Sequence, residues 1–476
     1  MSHRTLRFLS LSLLLLTLAV AVSSGAAQPA GPVTALLAVE VPTAAGLHRF
    51  QQSGAVAYDV VVGDLLLAGA DAAARGALAA AGLRTRLLDA DTAGATYTWA
   101  AALPGRPAPD WSRFGHVLLA NGHQVLLRVT PATVERLAAA GAEVRRLLLR
   151  PVILEAAGPA APLPRLLDAE PAIQAMIDQV NALAVAAYDG GLSGEHPVTV
   201  GGTPYTIPTR YTFSGTPIER ATQYTGEQLA GAGLAVEYHQ WSGATYPNVV
   251  GEITGQVNPD EIYMITAHLD STSQSATTSA PGADDNASGS TAVLLAAEIL
   301  SQYWWDCTLR FALWTGEEQG LLGSDAYAQR AAANGENIAG VLNLDMIGYN
   351  SDSAPILDLH ARSAIPQSVA IANLFSDVVG TYNLNLAPQL LVDNWLGNYS
   401  DNKSFWDVGY PAILAIEDYD DFTPYYHTTG DRLATLDLAY FTEMVKAGVG
   451  TFAHMTGCLD TDTEVDIYLP FVRVGP

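Results

Sequence analysis

Basic residues and cysteine are scarce in this chain of 476 residues, and the shortage of basic residues excludes a class of partner. Lysine and arginine together number 23 against 48 aspartates and glutamates, which gives a formal net charge of −25. A protein that binds nucleic acid needs a basic surface to hold phosphates, so no nucleic acid is expected as a partner. The acidic balance instead favours a protein that stays soluble outside the cell.

Long apolar runs are also missing, apart from one near the amino terminus. Arg4 and Arg7 precede an apolar run at residues 8–22, and small residues follow as far as Ala27. The run is shorter than the ~18–20 apolar residues that span a bilayer, so the pattern predicts a signal peptide over residues 1–27. No later segment has the length of a membrane span. The mature protein is therefore expected to be secreted, extracellular and not associated with a membrane.

Seven residues in five short motifs point to a metal site. In chain order they are His268 with Asp270, Asp285, Glu317 with Glu318, Asp345, and His427. Imidazole nitrogens and carboxylate oxygens in this number are the ligands that a pair of zinc-like ions requires. One further glutamate is left over for proton transfer. The set therefore predicts a two-metal hydrolase site.

The surroundings of these motifs predict the fold. Three apolar runs rich in β-formers lead into them, at residues 262–267, 309–314 and 338–344, and helix-like segments lie between, at residues 290–302 and 324–333. Strands that alternate with helices predict an α/β fold with a doubly wound, mostly parallel sheet flanked by helices. Ligands of such sheets lie beyond the carboxyl ends of the strands. Five of the seven residues, two histidines and three carboxylates, are the candidate ligands, and all five fall at those ends or in the loops just beyond.

Spacing along the chain gives several of these residues distinct roles. His268 and Asp270 are two apart on an extended segment, so the Asp270 carboxylate can accept a hydrogen bond from the ring nitrogen of His268 that binds no metal. Asp285 lies in a loop rich in small residues, and its carboxylate can bridge both ions. Glu317 and Glu318 are neighbours whose side chains diverge, so one can bind metal while the other faces the water that the metals activate.

Taken in this order, the motifs resemble the zinc aminopeptidases of the M28 family, which includes secreted bacterial leucyl aminopeptidases. The similarity extends from about residue 173 to residue 457. It implies a zinc exopeptidase type of fold that binds two Zn²⁺ ions per chain. The resemblance assigns one ion to His268, Asp285 and Asp345, and the other to Asp285, Glu318 and His427.

The same resemblance implies further details of the site. Glu317 is expected to be the general base, and Asp270 is expected to support a ligand without binding metal. The peptide bond between Asp285 and Asn286 is expected to be cis, a costly state that is retained at functional sites. The chain departs from several secreted relatives at residues 395–402, which contain no cysteine where those relatives carry a short disulfide loop. This departure concerns the wall of the substrate pocket.

Residues 28–165 carry none of the candidate ligands and look internally duplicated. A strand-like segment at residues 58–62 and a helix-like segment ending at Gly82 parallel a strand at 125–129 and a helix ending at Gly141. Each glycine is predicted to stop its helix. A small α+β unit between a signal peptide and a peptidase is expected to be a propeptide that assists folding or blocks the site. A permanent accessory domain is the alternative.

The remaining boundaries follow from composition. A proline-rich linker at residues 159–164 is expected to lead into the catalytic domain at residues 166–458. Residues 459–476 form an acidic linker and an apolar tail, which could add an edge strand or act as a sorting signal.

The two cysteines, Cys307 and Cys458, are predicted to form a disulfide, because export favours oxidation. Cys307 begins the strand that leads to the glutamate pair, so it lies at the sheet edge opposite the metals. The helix-like segment from Leu438 runs away from the metal side and brings Cys458 towards the same edge. A small buried core residue is the alternative role for Cys307.

These observations predict a secreted metallo-exopeptidase. The expected activity is that of an aminopeptidase that hydrolyses N-terminal residues from peptides, with Glu317 acting on a water between the two zinc ions. The alternatives are a carboxypeptidase or a single-zinc glutaminyl cyclase of the same fold, or a binding module with an inactive peptidase-like site. The complete set of five ligands argues against the last two.

Overall fold

The structure is a computed structural model that describes residues 34–460, apart from residues 62–63, 104–106, 139, 155–168 and 243–245. Three expectations lie outside the described residues: the signal peptide at 1–27, the linker at 159–164 and the tail after residue 460. In the described part, no helix combines the length and the apolar character needed to cross a membrane.

The first N-terminal unit is a four-stranded antiparallel sheet with two helices. Its elements are β1 (Ala35–Glu40), α1 (Ala44–Gln51), β2 (Val56–Val61), β3 (Leu65–Ala70), α2 (Ala72–Ala80) and β4 (Thr85–Asp89). The strand order is β2-β3-β1-β4, with every pair antiparallel. This order and the βαββαβ succession are those of the ferredoxin-like arrangement. Asp71 begins α2 by accepting a hydrogen bond from the N–H of Ala74 (2.8 Å).

The second N-terminal unit repeats this arrangement without its first helix. Its elements are β5 (Thr96–Ala102), β6 (His116–Asn121), β7 (Gln124–Val129), α3 (Pro131–Ala138) and β8 (Ala142–Leu147). The strand order is β6-β7-β5-β8, again antiparallel throughout. Gly82 and Gly141 follow α2 and α3 with φ of +68° and +76°, a conformation that favours glycine and ends a helix.

The two units therefore share a topology, but the predicted alignment of their strands is wrong by one strand. The strand before α2 is β3, so β3 corresponds to β7. The described part of the segment predicted at residues 58–62 belongs to β2, which corresponds to β6. A hairpin places two similar apolar strands before each helix, which is why the pattern alone selected the wrong member of the pair.

Two helices, a short hairpin and a third helix lead into the central sheet. They are α4 (Pro171–Gln179), α5 (Ala182–Leu192), β9 (Val198–Val200), β10 (Thr203–Tyr205) and α6 (Thr216–Gly231). Asn181 begins α5 by accepting a hydrogen bond from the N–H of Ala184 (3.0 Å).

An eight-stranded sheet forms the centre of the molecule. Its strands are β11 (Ala235–His239), β12 (Asn248–Ile253), β13 (Asn258–His268), β14 (Cys307–Trp314), β15 (Asn337–Leu344), β16 (Ile356–Ala361), β17 (Ala387–Val392) and β18 (Ala412–Glu417). The order is β11-β12-β14-β13-β15-β18-β16-β17. The four central strands, from β14 to β18, run parallel. The strands on either side reverse direction against them, so the sheet is mixed.

Helices cover both faces of this sheet, as expected for a doubly wound fold. They are α7 (Gly289–Leu300), α8 (Leu322–Asn334), α9 (Pro366–Thr381), α10 (Asn402–Asp407) and α11 (Leu438–Thr456). Along β13, Ile265 and Ala267 enter the core that contains α7 and α11. Met264 enters the core that contains α8 and α10. Alternate side chains of a strand point to opposite faces, so an almost entirely apolar strand is buried on both.

A disulfide joins Cys307 to Cys458 at the edge opposite the ends of the strands that carry the candidate ligands, as predicted. The two Cα atoms are 5.8 Å apart, and 151 positions of sequence separate the residues. Beside the bridge, the N–H of Asp306 donates to the carbonyl of Cys458 (2.8 Å). The chain after α11 is therefore attached to the start of β14 by both a covalent bond and main-chain contacts.

Replacing both cysteines by alanine should destabilise the domain that contains the eight-stranded sheet, because the unfolded chain loses a long covalent loop. The expected loss is about 2–5 kcal/mol in free energy of unfolding, seen as a lower midpoint in calorimetry. Wild-type protein denatured without reductant should yield no titratable thiol. Two thiols per chain in that assay would contradict the bridge.

Candidate metal centre

The candidate ligands meet at the carboxyl ends of three neighbouring parallel strands. His268 is the last residue of β13, Asp345 directly follows β15, and Glu317 and Glu318 lie in the loop after β14. Parallel strands bring their carboxyl ends to one edge of the sheet, so residues far apart in sequence converge there. His427 comes from the segment after β18 and completes the group.

Asp285 enters the site from the turn that precedes α7. The peptide bond from Asp285 to Asn286 is cis, as the family resemblance implied. Asp431 holds this turn, because its two carboxylate oxygens accept hydrogen bonds from the N–H groups of Asp284 (2.9 Å) and Asp285 (3.1 Å). The Asn286 side chain donates to the carbonyl of Leu344 (3.0 Å), which ties the turn to the end of β15.

The carboxylate of Asp285 lies between the two histidines. Its Oδ1 is 3.2 Å from Nε2 of His268, and its Oδ2 is 3.2 Å from Nε2 of His427. Asp345 Oδ1 lies 3.2 Å from the same nitrogen of His268, and Glu318 Oε2 lies 3.0 Å from the same nitrogen of His427. Two groups of three ligands therefore share one carboxylate, and within each group the ligand atoms lie within 4.8 Å of one another.

The protonation of these groups shows how strongly the site requires positive charge. Burial alone would lower the pKa of both histidines, but the carboxylates around them hold it well above its usual value. Burial also opposes ionisation of Asp285, yet hydrogen bonds from His268 and His427 keep its pKa well below the usual range. Burial raises the pKa of Glu318 to about 8. Without cations, protons on the two imidazoles and on Glu318 would therefore balance part of the buried negative charge.

The donor set fits two divalent transition-metal ions. Each group offers one imidazole nitrogen and two carboxylate ligands, a combination that suits zinc. Oε1 of Glu318 is buried and has no hydrogen-bond partner among the described residues, so an acceptor is available that a cation would satisfy.

Glu317 belongs to neither ligand group and is held by a separate network. Oδ1 of Asp270 accepts a hydrogen bond from the N–H of Glu317 (3.2 Å), and Oδ2 accepts one from the hydroxyl of Thr212 (2.8 Å). The hydroxyl of Thr212 accepts in turn from the N–H of Gly316 (3.0 Å). Burial raises the pKa of Glu317 well above its usual value, against the effect of His268.

Asp270 acts differently from what its spacing predicted. The ring Nδ1 of His268 donates to the main-chain oxygen of Asp270 (3.0 Å), while the carboxylate Oδ1 lies 3.8 Å from that nitrogen. The carboxylate is instead occupied by Thr212 and the loop of Glu317. One residue therefore orients the histidine through its backbone and the glutamate loop through its side chain.

Sequence reasoning missed several side chains that contact the site. The hydroxyl of Ser400 donates to Oδ2 of Asp345 (2.5 Å). Asp401 is buried beside it, and burial raises its pKa to about 7. Both lie in the cysteine-free segment at 395–402, whose departure from relatives was the available signal. Asp431, four residues after His427, carried no separate signal.

A small cavity adjoins the candidate ligands. Its volume is about 40 Å³, enough for a few water molecules. It is lined by His268, Asp285, Glu317, Asp345 and Ser400, by His360 and Glu143, and by Met346, Leu396, Tyr399, Leu414, Ile416, Tyr419, Phe422 and Tyr426. Glu143 belongs to the second N-terminal unit, and burial raises its pKa to about 7. Apart from the seven polar or ionisable residues named first, the wall is thus apolar and aromatic.

Among proteins of known name, the chain is similar to peptidases. Leucine aminopeptidase 1 of Trichophyton rubrum is 28% identical over 254 residues, covering 49% of this chain and 63% of that protein. A "Probable zinc metalloprotease" of Pyrenophora teres f. teres is 26% identical over 234 residues, covering 46% and 50%. The chain therefore spans less than two thirds of the length of these relatives.

Solved structures show the same fold. The LapA aminopeptidase of Legionella pneumophila superposes with a TM-score of 0.58 at 16% identity, over 76% of this chain and 98% of that one. LapB of the same organism gives a TM-score of 0.58 at 16% identity, over 75% and 99%. The model of "Peptidase family M28" matches residues 248–449. This segment contains both ligand groups as well as Glu317, so the similarity to peptidase family M28 covers the whole candidate metal centre.

Proposed function

We propose that the protein is a secreted two-zinc aminopeptidase that removes N-terminal residues from peptides. The observation that carries the proposal is the Asp285 carboxylate, whose two oxygens face the two histidine nitrogens at 3.2 Å each. This is the arrangement that a bridging carboxylate between two ions needs. The names of the relatives, a leucine aminopeptidase and a "Probable zinc metalloprotease", favour zinc and an amino-terminal substrate.

In the proposed mechanism, His268, Asp285 and Asp345 would hold one ion, and Asp285, Glu318 and His427 would hold the other. Bound zinc would supply Lewis-acid polarisation of the scissile carbonyl and a lowered pKa for the attacking water. Glu317 takes the proton of that water and returns it to the leaving amine. Asp270 keeps Glu317 in place by accepting the hydrogen bond of its N–H group. Water and peptide are consumed, and a free amino acid and a shortened peptide are released.

The cavity wall favours a large apolar residue at the amino terminus of the substrate. Met346, Leu396, Ile416 and Phe422 line the cavity together with the candidate ligands, and apolar surfaces of this kind bind aliphatic side chains. The proposal is tested by metal content together with hydrolysis of a panel of amino-acid anilides.

Leucine anilide should be hydrolysed by the processed, zinc-loaded protein, and an N-acetylated leucine anilide should not. A free amine is the feature that separates an aminopeptidase from other peptidases of this fold. Equal hydrolysis of both compounds, or release of amino acids only from the carboxyl terminus of a peptide, would contradict the proposed specificity.

The two neighbouring glutamates should give opposite phenotypes when each is changed to glutamine. Glu317→Gln should keep two zinc ions per chain and lose about 10²- to 10⁴-fold in kcat, because it removes the proton acceptor. Glu318→Gln should lower the zinc content instead, because it removes a ligand. Elemental analysis and anilide turnover measure both. A Glu317→Gln variant with wild-type turnover would refute the assignment.

The N-terminal units are proposed to be a propeptide, and residues 1–27 a signal peptide. Both ligand groups lie after residue 247, so the described N-terminal units contribute none of the proposed ligands. Amino-terminal sequencing of secreted, fully active protein should therefore begin between about residue 159 and residue 173. An active enzyme that begins at Gln28 would show that these units are a permanent domain.

A further inference from the structure

The end of α3 and the start of β8, together called the α3–β8 corner, lie directly against the candidate metal centre. The carbonyl of Ala138, at the end of α3, accepts a hydrogen bond from Nδ1 of His427 (3.2 Å). Five residues later, Oε2 of Glu143 accepts a hydrogen bond from the hydroxyl of Tyr426 (3.0 Å). Two neighbouring residues at the site are thus bound by one short segment of the second N-terminal unit.

Glu143 also enters the cavity itself. Its side chain lines the same 40 Å³ space as His268, Asp285 and Glu317. Pockets that bind ligands of drug size have volumes of about 300–1,000 Å³, so a peptide has no room here while this corner is in place. The carboxylate of Glu143 has the chemistry of the carboxylate product that peptide hydrolysis would leave at the metals.

An apolar contact closes the cavity beside Glu143. Leu103, just after β5, packs in one buried cluster with Met346 and Tyr426. A second contact is a hydrogen bond, in which the hydroxyl of Tyr399 donates to Oε1 of Gln124 (3.1 Å). Both contacts join the second N-terminal unit to residues that line the cavity, so the closure does not depend on Glu143 alone.

A buried group of charges fixes the position of the corner. Asp59, on β2, pairs with Arg145 on β8 (2.7 Å) and with Lys403 on α10 (3.3 Å). The side chains of Asp59 and Lys403 are 0% and 1% exposed. Burial opposes ionisation of Asp59, but the two cations lower its pKa to about 2. A buried pair of this kind is strongly disrupted when one partner is lost, so it fixes the orientation of both N-terminal units against the catalytic domain.

The loop that carries Glu318 is shaped to receive this unit. Gly320 has φ of +101°, and a Cβ at this position would lie 2.8 Å from the main-chain nitrogen of Arg146. Strand β8 therefore passes so close to this loop that a side chain at Gly320 would collide with its backbone. The fit extends from the glutamate loop to His427.

We propose that the second N-terminal unit is an intramolecular inhibitor, and that its α3–β8 corner occupies the substrate cleft with Glu143 facing the metal centre. The inference rests on the proposed aminopeptidase function and adds the residues that would keep the enzyme latent. Cutting the chain between Leu154 and Ala169 and separating the pieces would open the cleft. The released fragment would then inhibit the enzyme in a concentration-dependent manner.

The test uses the full chain with a specific protease site introduced at residues 159–164. A tethered partner has an effective concentration of about 1 mM, so an interaction with a Kd of about 10 µM leaves about 1% of the clefts open. The uncut chain should hydrolyse leucine anilide about 100-fold more slowly than the cut and diluted chain. Equal rates before and after cutting would overturn the proposal.

The contribution of Glu143 is measured with the cut protein at increasing concentration. As the concentration rises, the fragment rebinds and lowers the rate of anilide hydrolysis, which gives a concentration of half-suppression. Glu143→Ala should raise the concentration of half-suppression about tenfold, the scale of one lost hydrogen bond to a charged group. The matched control is Glu40→Ala, which removes an exposed carboxylate of the first unit whose ion-pair partner is Arg84. A shift no larger than that of the control would exclude Glu143 as the inhibitory residue.

A measurement that does not depend on enzyme activity tests the closed cleft separately from the proposed function. In metal-free protein, diethyl pyrocarbonate should modify His427 more slowly in the uncut chain than in the cut and diluted chain, as measured by mass spectrometry. Protection of His427 in a protein that hydrolyses no anilide after cutting would support the closed cleft and refute the activity. Equal modification in both forms would refute the closed cleft.

Discussion

An excess of buried negative charge at one edge of the sheet is the constraint on which the rest of the structure depends. Six buried carboxylates gather around two histidines, namely Asp270, Asp285, Glu317, Glu318, Asp345 and Asp401. Placing an ion in a protein interior costs several kcal/mol unless a partner offsets the cost, so such a group persists only where cations or protons balance it. The shared carboxylate of Asp285 is the point at which both halves of the proposed centre meet.

Several distant segments are needed to hold this charge in place. Thr212 and Asp270 fix the loop of Glu317, while Asp431 fixes the turn of Asp285 and Ser400 fixes Asp345. Each of these contacts joins parts of the chain that are far apart in sequence. The arrangement of the ligands therefore depends on the folding of the whole catalytic domain, with the central strands supplying the rigid support.

The sequence alone predicted those features that depend on residues close together in the chain, such as the ends of strands and helices. His268 and Asp345 could be located because an apolar strand ends at each of them, and Gly82 and Gly141 because a helix stops there. The direction of the outer strands could not be predicted, because the apolar pattern of a strand shows which of its faces are buried and not the direction of its neighbour. Contacts such as that between Ser400 and Asp345 join residues that no repeating pattern in the sequence relates, so they could not be predicted either. The position of Glu143 depends on how one folded unit packs against another.

The disulfide between Cys307 and Cys458 has a consequence for a protein exposed to other peptidases. Glu318, Asp345 and His427 all lie within the 151 positions that separate the two cysteines. A single cut in an exposed loop of this region would leave the two pieces covalently joined on either side of the break. The fragments could not diffuse apart, and the packed core could keep the cut ends in register. The bridge therefore keeps Glu318, Asp345 and His427 in one covalently joined molecule after a single cut between the two cysteines. Noncovalent packing alone does not ensure this.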